Sequence, residues 1–181
     1  MNPDEINKVL AEADCLYSQA DVEKQLERVA QAITADHADK LPIVLCVMTG
    51  AIIPAGHLLT RLHFPLEVDY IHATRYRGDT RGGEIHWEME PATELRNRDV
   101  IIVDDILDEG YTLASIVEYC QQAGAANIST MVLVEKQHER KHGIQADYVG
   151  LKIEDRYVFG YGMDYKGYLR NIAGIYAVKG M

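Results

Sequence analysis

The sequence predicts an α/β fold with a doubly wound, mainly parallel sheet. Short runs of consecutive apolar residues at 42–48, 100–103 and 131–134 are bounded by turn residues, as is typical of strands buried on both faces. Segments with the apolar spacing of helices lie between these runs, so strands and helices alternate along the chain. Because ligands bind at the carboxyl ends of the strands in such sheets, we expect functional residues just after each apolar run.

The first forty residues predict two amphipathic helices. Apolar residues recur at intervals of three and four positions over 6–13 and again over 22–33. Ser18 is followed three residues later by Asp21, which resembles a capping pair and predicts that the second helix begins there.

The central elements follow in the order strand, helix, strand, and this order then repeats. The apolar run at 42–48 precedes a helical pattern at 52–62, and residues 66–71 alternate between apolar and polar as in a strand. After the second apolar run, helical spacing over 113–120 predicts a helix that Gly124 ends.

The remaining segments have weaker patterns. Residues 75–91 combine glycine and charge and then alternate around Trp87, which predicts a flexible flap with a hairpin. The tail contains short strand-like pieces at 148–151 and 175–178, too fragmentary for a separate domain. We therefore expect one domain over 1–181.

Composition and charge exclude several classes of protein. A chain of 181 residues with 48% apolar and 25% charged residues is typical of a soluble globular domain. The net charge of −10 disfavours nucleic acid and anionic membranes as partners. Cys15, Cys46 and Cys120 lack metal-site or disulfide spacing, and the acidic start is unlike a signal peptide. No apolar run reaches a membrane-spanning length, so we expect a cytoplasmic protein.

The segment after the second apolar run carries the clearest functional signal. Asp104 and Asp105 follow the predicted strand, and a turn with Asp108, Gly110 and Thr112 opens into a helix. The N–H groups and dipole of a helix N-terminus favour a phosphate. Carboxylates beside a phosphate are unfavourable unless they contact hydroxyl groups, a cation or a proton to be removed. The combination indicates a phosphorylated sugar with Mg²⁺.

This pattern at 100–112 resembles the phosphoribosyl-pyrophosphate loop of type I phosphoribosyltransferases: four apolar residues, two acids, two apolar residues, then Asp-x-Gly-x-Thr. The resemblance extends from about Pro42 to Arg170 and is closest to the hypoxanthine-guanine phosphoribosyltransferases, because of Lys136 and the run 155–165. It implies that family's sheet with N-terminal helices, a flap hairpin and a small hood from the terminal segments. It also implies Mg²⁺ as cofactor and a homodimer or homotetramer.

The resemblance implies roles for the acidic segment. Asp104 and Asp105 would hold the ribose hydroxyls and the metal, and Asp164 would assist at the metal or at the purine 2-position. Asp108 would be the general base at purine N7. The 5′-phosphate would bind the loop amides and a threonine hydroxyl, in a loop formed by Asp108, Glu109, Gly110, Tyr111 and Thr112. No role is implied for the side chain of Tyr111.

The other implied roles concern the purine and the leaving group. Lys136 would donate to the 6-oxo group, Tyr157 would stack on the base, and the Val158 backbone would read the purine edge. Pyrophosphate would be met by Thr49, Gly50, Arg75, Tyr76 and Arg170, with Tyr76 on the flap. Thr49 stands where many relatives have lysine. Glu109 stands where serine or threonine is usual, and a carboxylate that pointed inward there would repel the phosphate. We therefore expect the Glu109 side chain to face solvent.

The implied activity is purine salvage: transfer from phosphoribosyl pyrophosphate to hypoxanthine or guanine, forming IMP or GMP and pyrophosphate. One alternative is a xanthine-preferring enzyme, because backbone placement near Val158 and Asp164 sets the preference at the purine 2-position. Another is a non-catalytic nucleotide-binding regulatory protein of the same fold, which Thr49 favours and which Asp108 and Lys136 oppose.

A simpler interpretation also remains open for two sets of residues. Tyr157 fits ordinary aromatic packing as well as a stacking role. The basic residues after the third apolar run are also compatible with a solvated patch, namely Lys136, His138, Arg140, Lys141 and His142.

Overall fold

Two sheets of different size organise the described part of the chain in a computed structural model, which covers residues 2–75 and 85–181. The described elements, in chain order, are α1 (Pro3–Glu12), β1 (Asp14–Tyr17), α2 (Gln19–His37), β2 (Ile43–Met48), α3 (Ile52–Leu59), β3 (Glu67–Arg75), β4 (Ile85–Met89), β5 (Asp99–Leu107), α4 (Tyr111–Gln122), β6 (Asn127–Gln137), β7 (Tyr148–Glu154), β8 (Val158–Phe159) and β9 (Ile175–Ala177).

The larger sheet has the strand order β4-β3-β2-β5-β6-β7, in which β4 is antiparallel and the other neighbours are parallel. The chain passes from β2 through α3 to β3 on one side, and from β5 through α4 to β6 on the other. Because parallel crossovers are right-handed, this reversal places α3 and α4 on opposite faces. The predicted doubly wound, mainly parallel sheet is confirmed.

The reversal also separates the loops that leave β2 and β5. These strands are neighbours in register, with Val44 beside Ile101 and Cys46 beside Val103, yet the chain diverges where they end. A crevice opens at such a switch point, outside the carboxyl ends of the strands. The topology therefore places the ligand site between these two loops.

The smaller sheet has the order β1-β9-β8, with antiparallel pairs, and joins the two ends of the chain. A second buried cluster lies here, formed by Phe159, Tyr165, Leu169 and Val178, and the apolar face of α1 packs against it. We call α1, β1, β8, β9 and the segment 160–174 the hood. The expected hood from the terminal segments is present, although β1 and β8 carry no signal long enough to be predicted.

Strand β5 is longer than the sequence indicates. The apolar run predicts that the strand ends at Val103 and that Asp104 and Asp105 follow it, but the strand continues through both acids to Leu107, whose register partner is Glu135 on β6. That expectation was wrong because ladder hydrogen bonds to β6 continue beyond the apolar run. The paired acids are consequently held by a sheet rather than by a loop.

The ends of the helices follow the sequence more closely. The amide of Asp21 donates to Ser18 Oγ and the Ser18 amide donates to the Asp21 carboxylate, which confirms the capping pair of α2. Helix α4 ends at Gln122, and Gly124 adopts a φ of 83° just beyond it, as the sequence predicts. Among the described helices, none is long and apolar enough to cross a membrane.

The core of the larger sheet determines the stability of this framework. Leu45 lies on β2 between β3 and β5 and is completely buried. We expect Leu45→Ala to lower the free energy of unfolding by about 2–5 kcal/mol, because the lost contacts and the cavity both cost free energy. Urea denaturation of the variant and the parent protein measures this difference.

Met89→Ala is the matched control, because Met89 ends β4 and is 49% exposed. We expect it to change the free energy of unfolding by less than about 1 kcal/mol. Equal losses in the two variants would contradict the assignment of the β2 strand to the centre of the core.

Candidate active site

A cavity of about 470 Å³ lies at the switch point between β2 and β5. Its walls are residues 47–50, 72–74 and 104–113, with Asp164 and Arg170 from the hood. The first two strand ends that the sequence predicts to be functional thus meet in one cavity. The third strand end does not line the cavity, but its side chains Lys136 and His138 contact Asp108, which does.

Two adjacent carboxylates on β5 give the cavity its negative charge. Asp104 is buried, and its Oδ1 accepts a hydrogen bond of 2.8 Å from the Asp105 amide. Burial raises the pKa of Asp104, and the neighbouring charge of Asp105 raises it further. Burial also raises the pKa of Asp105, although a hydrogen bond from Asp104 and the charge of Arg170 oppose this shift. A bound cation or hydroxyl donors would stabilise the ionised pair.

Backbone rather than side chains closes the cavity beside these acids. A Cβ at Gly50 would collide with the Asp105 carboxylate, and a Cβ at Gly162 would collide with the Gly50 carbonyl oxygen. The loop after β2 and the hood therefore approach the acids only because both positions are glycine. The Met48–Thr49 peptide bond is cis, and Thr49 lines the cavity with an exposed side chain.

The loop from β5 to α4 presents the start of a helix to the cavity. Gly110 is the N-cap residue with a φ of 92°, and its cap position has no side-chain hydrogen bond. The helix begins directly afterwards, and Thr112 and Leu113 line the cavity. The partial positive charge of a helix N-terminus favours an anion at this end of the cavity.

The hood contributes an arginine that is held by acids and by a carbonyl group. Arg170 Nη2 lies 2.6 Å from Asp164 Oδ1, and its Nη1 donates to the Gly162 carbonyl oxygen and lies 3.9 Å from Asp105 Oδ2. Asp164 Oδ2 accepts a further hydrogen bond of 2.6 Å from the Gly167 amide. The guanidinium is thus fixed at the cavity wall, between the hood and β5.

Two side chains at the carboxyl end of β6, Lys136 on the strand and His138 just after it, hold the Asp108 carboxylate. Lys136 Nζ lies 3.0 Å from Asp108 Oδ2, and His138 Nε2 lies 2.7 Å from Asp108 Oδ1. Burial raises the pKa of Asp108, but hydrogen bonds from His138 and Lys136 outweigh this and leave the pKa below its ordinary value. Asp108 is therefore a carboxylate with both oxygens engaged.

Ligand-type atoms of Asp108, His138 and Asp155 lie within 4.8 Å of one another. The Lys136 ammonium already contacts both carboxylates of this group, at 3.0 Å for Asp108 and 3.5 Å for Asp155. The Lys136 ammonium thus compensates the charges of these carboxylates, and we assign no metal to the group.

The basic residues after β6 have partners on neighbouring elements. Arg140 Nη2 lies 2.8 Å from Asp155 Oδ2, and Lys141 forms an ion pair with the buried Glu135. The rings of His142 and Tyr111 approach to 3.5 Å between centroids. The alternative of a solvated basic patch is therefore wrong for Lys136 and Lys141, which are half-buried and paired with acids, whereas Arg140 and His142 remain exposed to solvent.

The other candidate residues lie in different places. Glu109 lines the cavity with its side chain 37% exposed and its Oε1 3.9 Å from Arg140 Nε, so it faces solvent only in part. Tyr157 is 41% exposed and meets the Tyr165 ring edge-on at 5.7 Å, and neither Tyr157 nor Val158 lines the cavity. Lys136 reaches the site only through Asp108. The side chain of Arg75 and residues 76–84 of the predicted flap, Tyr76 included, lie outside the described residues, whereas the strands β3 and β4 on either side of that segment pair antiparallel as a hairpin.

Sequence reasoning assigned no role to His138, although its side chain is only 6% exposed and contacts Asp108. The available signal was spacing. Lys136 and His138 are two residues apart at the end of an extended segment, so their side chains point the same way. The exposed Gln137 between them points away.

Comparisons with known proteins agree with this geometry. Residues 12–166 match the family model described as "Phosphoribosyl transferase domain". The hypoxanthine-guanine-xanthine phosphoribosyltransferase of Tritrichomonas foetus is 33% identical over 91% of this chain and 90% of its own length. The hypoxanthine-guanine phosphoribosyltransferase of Bacillus subtilis strain 168 is 31% identical over 91% of this chain and 92% of its own length.

Solved structures show the same likeness. A hypoxanthine phosphoribosyltransferase from Staphylococcus aureus superposes with a TM-score of 0.89 at 29% identity, covering 99% of this chain and 96% of that one. A hypoxanthine-guanine-xanthine phosphoribosyltransferase superposes with a TM-score of 0.84 at 31% identity, covering 92% and 96% of the two chains. Matched over most of its length in sequence and in fold, the chain belongs to the phosphoribosyltransferase family.

Proposed function

We propose that this protein transfers the phosphoribosyl group of phosphoribosyl pyrophosphate to hypoxanthine or guanine, forming IMP or GMP and pyrophosphate in purine salvage. The observation that carries the proposal is one cavity that joins Asp104, Asp105 and the start of α4 to Asp108, whose carboxylate is held by Lys136. The names of the similar proteins support the same activity.

The phosphoribosyl group binds, in this proposal, along the loop from β5 to α4. The 5′-phosphate accepts hydrogen bonds from the loop amides and the Thr112 hydroxyl, at the positive end of the helix. The ribose hydroxyls donate to Asp104 and Asp105, which lie on the same wall. The rigid β5 strand fixes the distance between the phosphate and the acids, and so orients the sugar.

Mg²⁺ fits the acids of this cavity. Asp104, Asp105 and Asp164 offer carboxylate oxygens, the donors that Mg²⁺ prefers, and the burial of the β5 pair favours a bound cation. We assign the metal environment to these three residues. When bound with the substrate, the ion would neutralise charge on the departing pyrophosphate.

Arg170 and the loop after β2 meet the leaving group. Arg170 brings a fixed positive charge to the wall formed by Thr49 and Gly50. We propose that Arg75 and Tyr76 also contact the pyrophosphate. A closed flap would exclude water from the ribose carbon, which develops oxocarbenium character as pyrophosphate departs.

The purine is bound between the hood and the end of β6. Lys136 donates to the 6-oxo group, Tyr157 stacks on the base and the Val158 backbone reads its edge, while Asp108 accepts the N7 proton as the purine attacks. The lowered pKa of Asp108 favours its ionised form, and only the ionised carboxylate can accept a proton. The 2-position of the purine then lies near Val158 and Asp164.

Xanthine is the second candidate base. The Tritrichomonas foetus relative carries xanthine in its name, and the backbone around Val158 sets the contacts at the 2-position. We further propose that residues 1–181 act as one domain in the cytoplasm, in a homodimer or homotetramer. The free state of Cys15, Cys46 and Cys120 suits a reducing compartment.

The test of the proposed activity is the initial rate with phosphoribosyl pyrophosphate and Mg²⁺ against hypoxanthine, guanine, xanthine and adenine, with and without EDTA. We expect turnover of hypoxanthine and guanine that EDTA abolishes, and much slower turnover of adenine, which lacks the 6-oxo acceptor. Xanthine turnover faster than both would establish the second candidate. No turnover of any base by folded protein would favour a regulatory nucleotide-binding protein.

Asp108→Asn tests the general base. The amide keeps the shape of the side chain but cannot accept the N7 proton, so we expect kcat to fall by about 10² to 10⁴-fold. The affinity for phosphoribosyl pyrophosphate, measured by calorimetry, should change little. Unchanged turnover would show that another group takes the proton.

Lys136→Ala tests recognition of the 6-oxo group. We expect the ratio of kcat/KM for hypoxanthine to that for adenine to fall by about 10-fold or more, because a charged hydrogen bond to O6 is lost. Lys179→Ala, at an exposed site near the end of the chain, is the matched control. An unaltered base preference in Lys136→Ala would mean that another group reads O6.

A further inference from the structure

We infer that His138 is a positioning residue, a neutral imidazole that holds the Asp108 carboxylate while Lys136 moves from that carboxylate to the purine. The inference rests on the proposed function, because it concerns the carboxylate that accepts the N7 proton. It assigns different roles to Lys136 and His138, the two side chains that contact Asp108.

Both ring nitrogens of His138 are engaged. Nδ1 accepts a hydrogen bond of 3.1 Å from the Arg140 amide, and Nε2 lies 2.7 Å from Asp108 Oδ1. A backbone N–H can donate only to an unprotonated nitrogen, so Nδ1 carries no hydrogen. Nε2 then carries the proton of the neutral ring and donates it to Asp108. The local backbone thus selects the tautomer that Asp108 needs.

His138 differs from a histidine that merely fills space. His37 is also buried, and its Nδ1 has no hydrogen-bond partner among the described residues. The His138 ring, with a side chain only 6% exposed, instead links a loop amide to the carboxylate. Its orientation is therefore specified from both sides, as is usual for a side chain that orients another group.

Lys136 has a different set of contacts. Its ammonium lies 3.0 Å from Asp108 Oδ2 and also 3.5 Å from Asp155 Oδ1, which is in turn paired with Arg140. If Lys136 turns toward a purine oxygen, Asp155 remains nearby to compensate its charge. Oδ2 of Asp108 then becomes available for the N7 proton, while His138 keeps Oδ1 in place. In this inference His138 stays bound to Asp108 throughout, whereas Lys136 exchanges Asp108 for the purine.

The decisive variants are His138→Phe, which keeps a flat ring but removes the donor, and His138→Gln, whose side-chain amide can replace Nε2–H. We expect His138→Phe to lower kcat by about 10- to 100-fold, because a displaced carboxylate is poorly aligned with N7. The KM for phosphoribosyl pyrophosphate should stay within about twofold. His138→Gln should recover most of the lost kcat.

Gln137→Ala is the matched control on the adjacent, exposed position, and we expect it to retain the kcat of the parent protein. Equal losses in His138→Phe and His138→Gln would assign the ring a packing role and overturn the inference. Parental kcat in His138→Phe would overturn it as well.

A second measurement does not depend on turnover. Nitrogen-15 NMR of the parent protein, with the His138 signals identified by their loss in His138→Gln, distinguishes protonated from unprotonated ring nitrogens. We expect an unprotonated Nδ1 and a protonated Nε2 at neutral pH, and the opposite tautomer would overturn the inference. If the parent protein turns over no base, the proposed function fails, while this spectrum still decides how His138 is held.

Discussion

The reversal of chain direction between β2 and β5 is the constraint on which the site depends. The two strands are neighbours in the sheet, but their connections leave toward opposite edges, and right-handed crossovers then send α3 and α4 to opposite faces. A gap at their carboxyl ends is unavoidable in this topology. The residues that line the cavity come from the strand ends and loops beside that gap or from the hood. The glycines at 50 and 162 let these parts approach closely enough to form a wall.

Charge within the cavity is distributed unevenly. Asp104 and Asp105 are adjacent on β5, and Arg170 Nη1 lies 3.9 Å from Asp105 Oδ2, whereas Asp108 is met by Lys136 and His138 at hydrogen-bond distance. Burial raises the pKa of Asp104 and of Asp105, whereas hydrogen bonds from His138 and Lys136 leave the pKa of Asp108 below its ordinary value. The ionised form of the pair lacks compensating charge, which a bound cation would supply, whereas Asp108 is already stabilised as a carboxylate by its two partners.

The sequence predicted the order of the main elements because continuous apolar runs and helical spacing report burial directly. It also predicted that Asp104, Asp105 and Thr112 share a site, because each follows the same strand. It did not predict β1 or β8, which are short and stabilised by pairing with β9 from the other end of the chain. The continuation of β5 was missed for a similar reason, since its partners on β6 are distant in sequence. Long-range pairing has no local signature.

His138 illustrates why part of a site escapes sequence reasoning even when its chemistry is suggestive. Five basic residues between 136 and 142 look alike in sequence, yet each is distinguished by the group that faces it in the fold. Alternation at the end of β6 directs Lys136 and His138 toward Asp108, while the Arg140 amide sets the tautomer of the His138 ring. A backbone hydrogen bond thus determines which proton points at a carboxylate. Such a relation exists only in three dimensions, and it separates a residue that orients the proposed base from neighbours that balance charge.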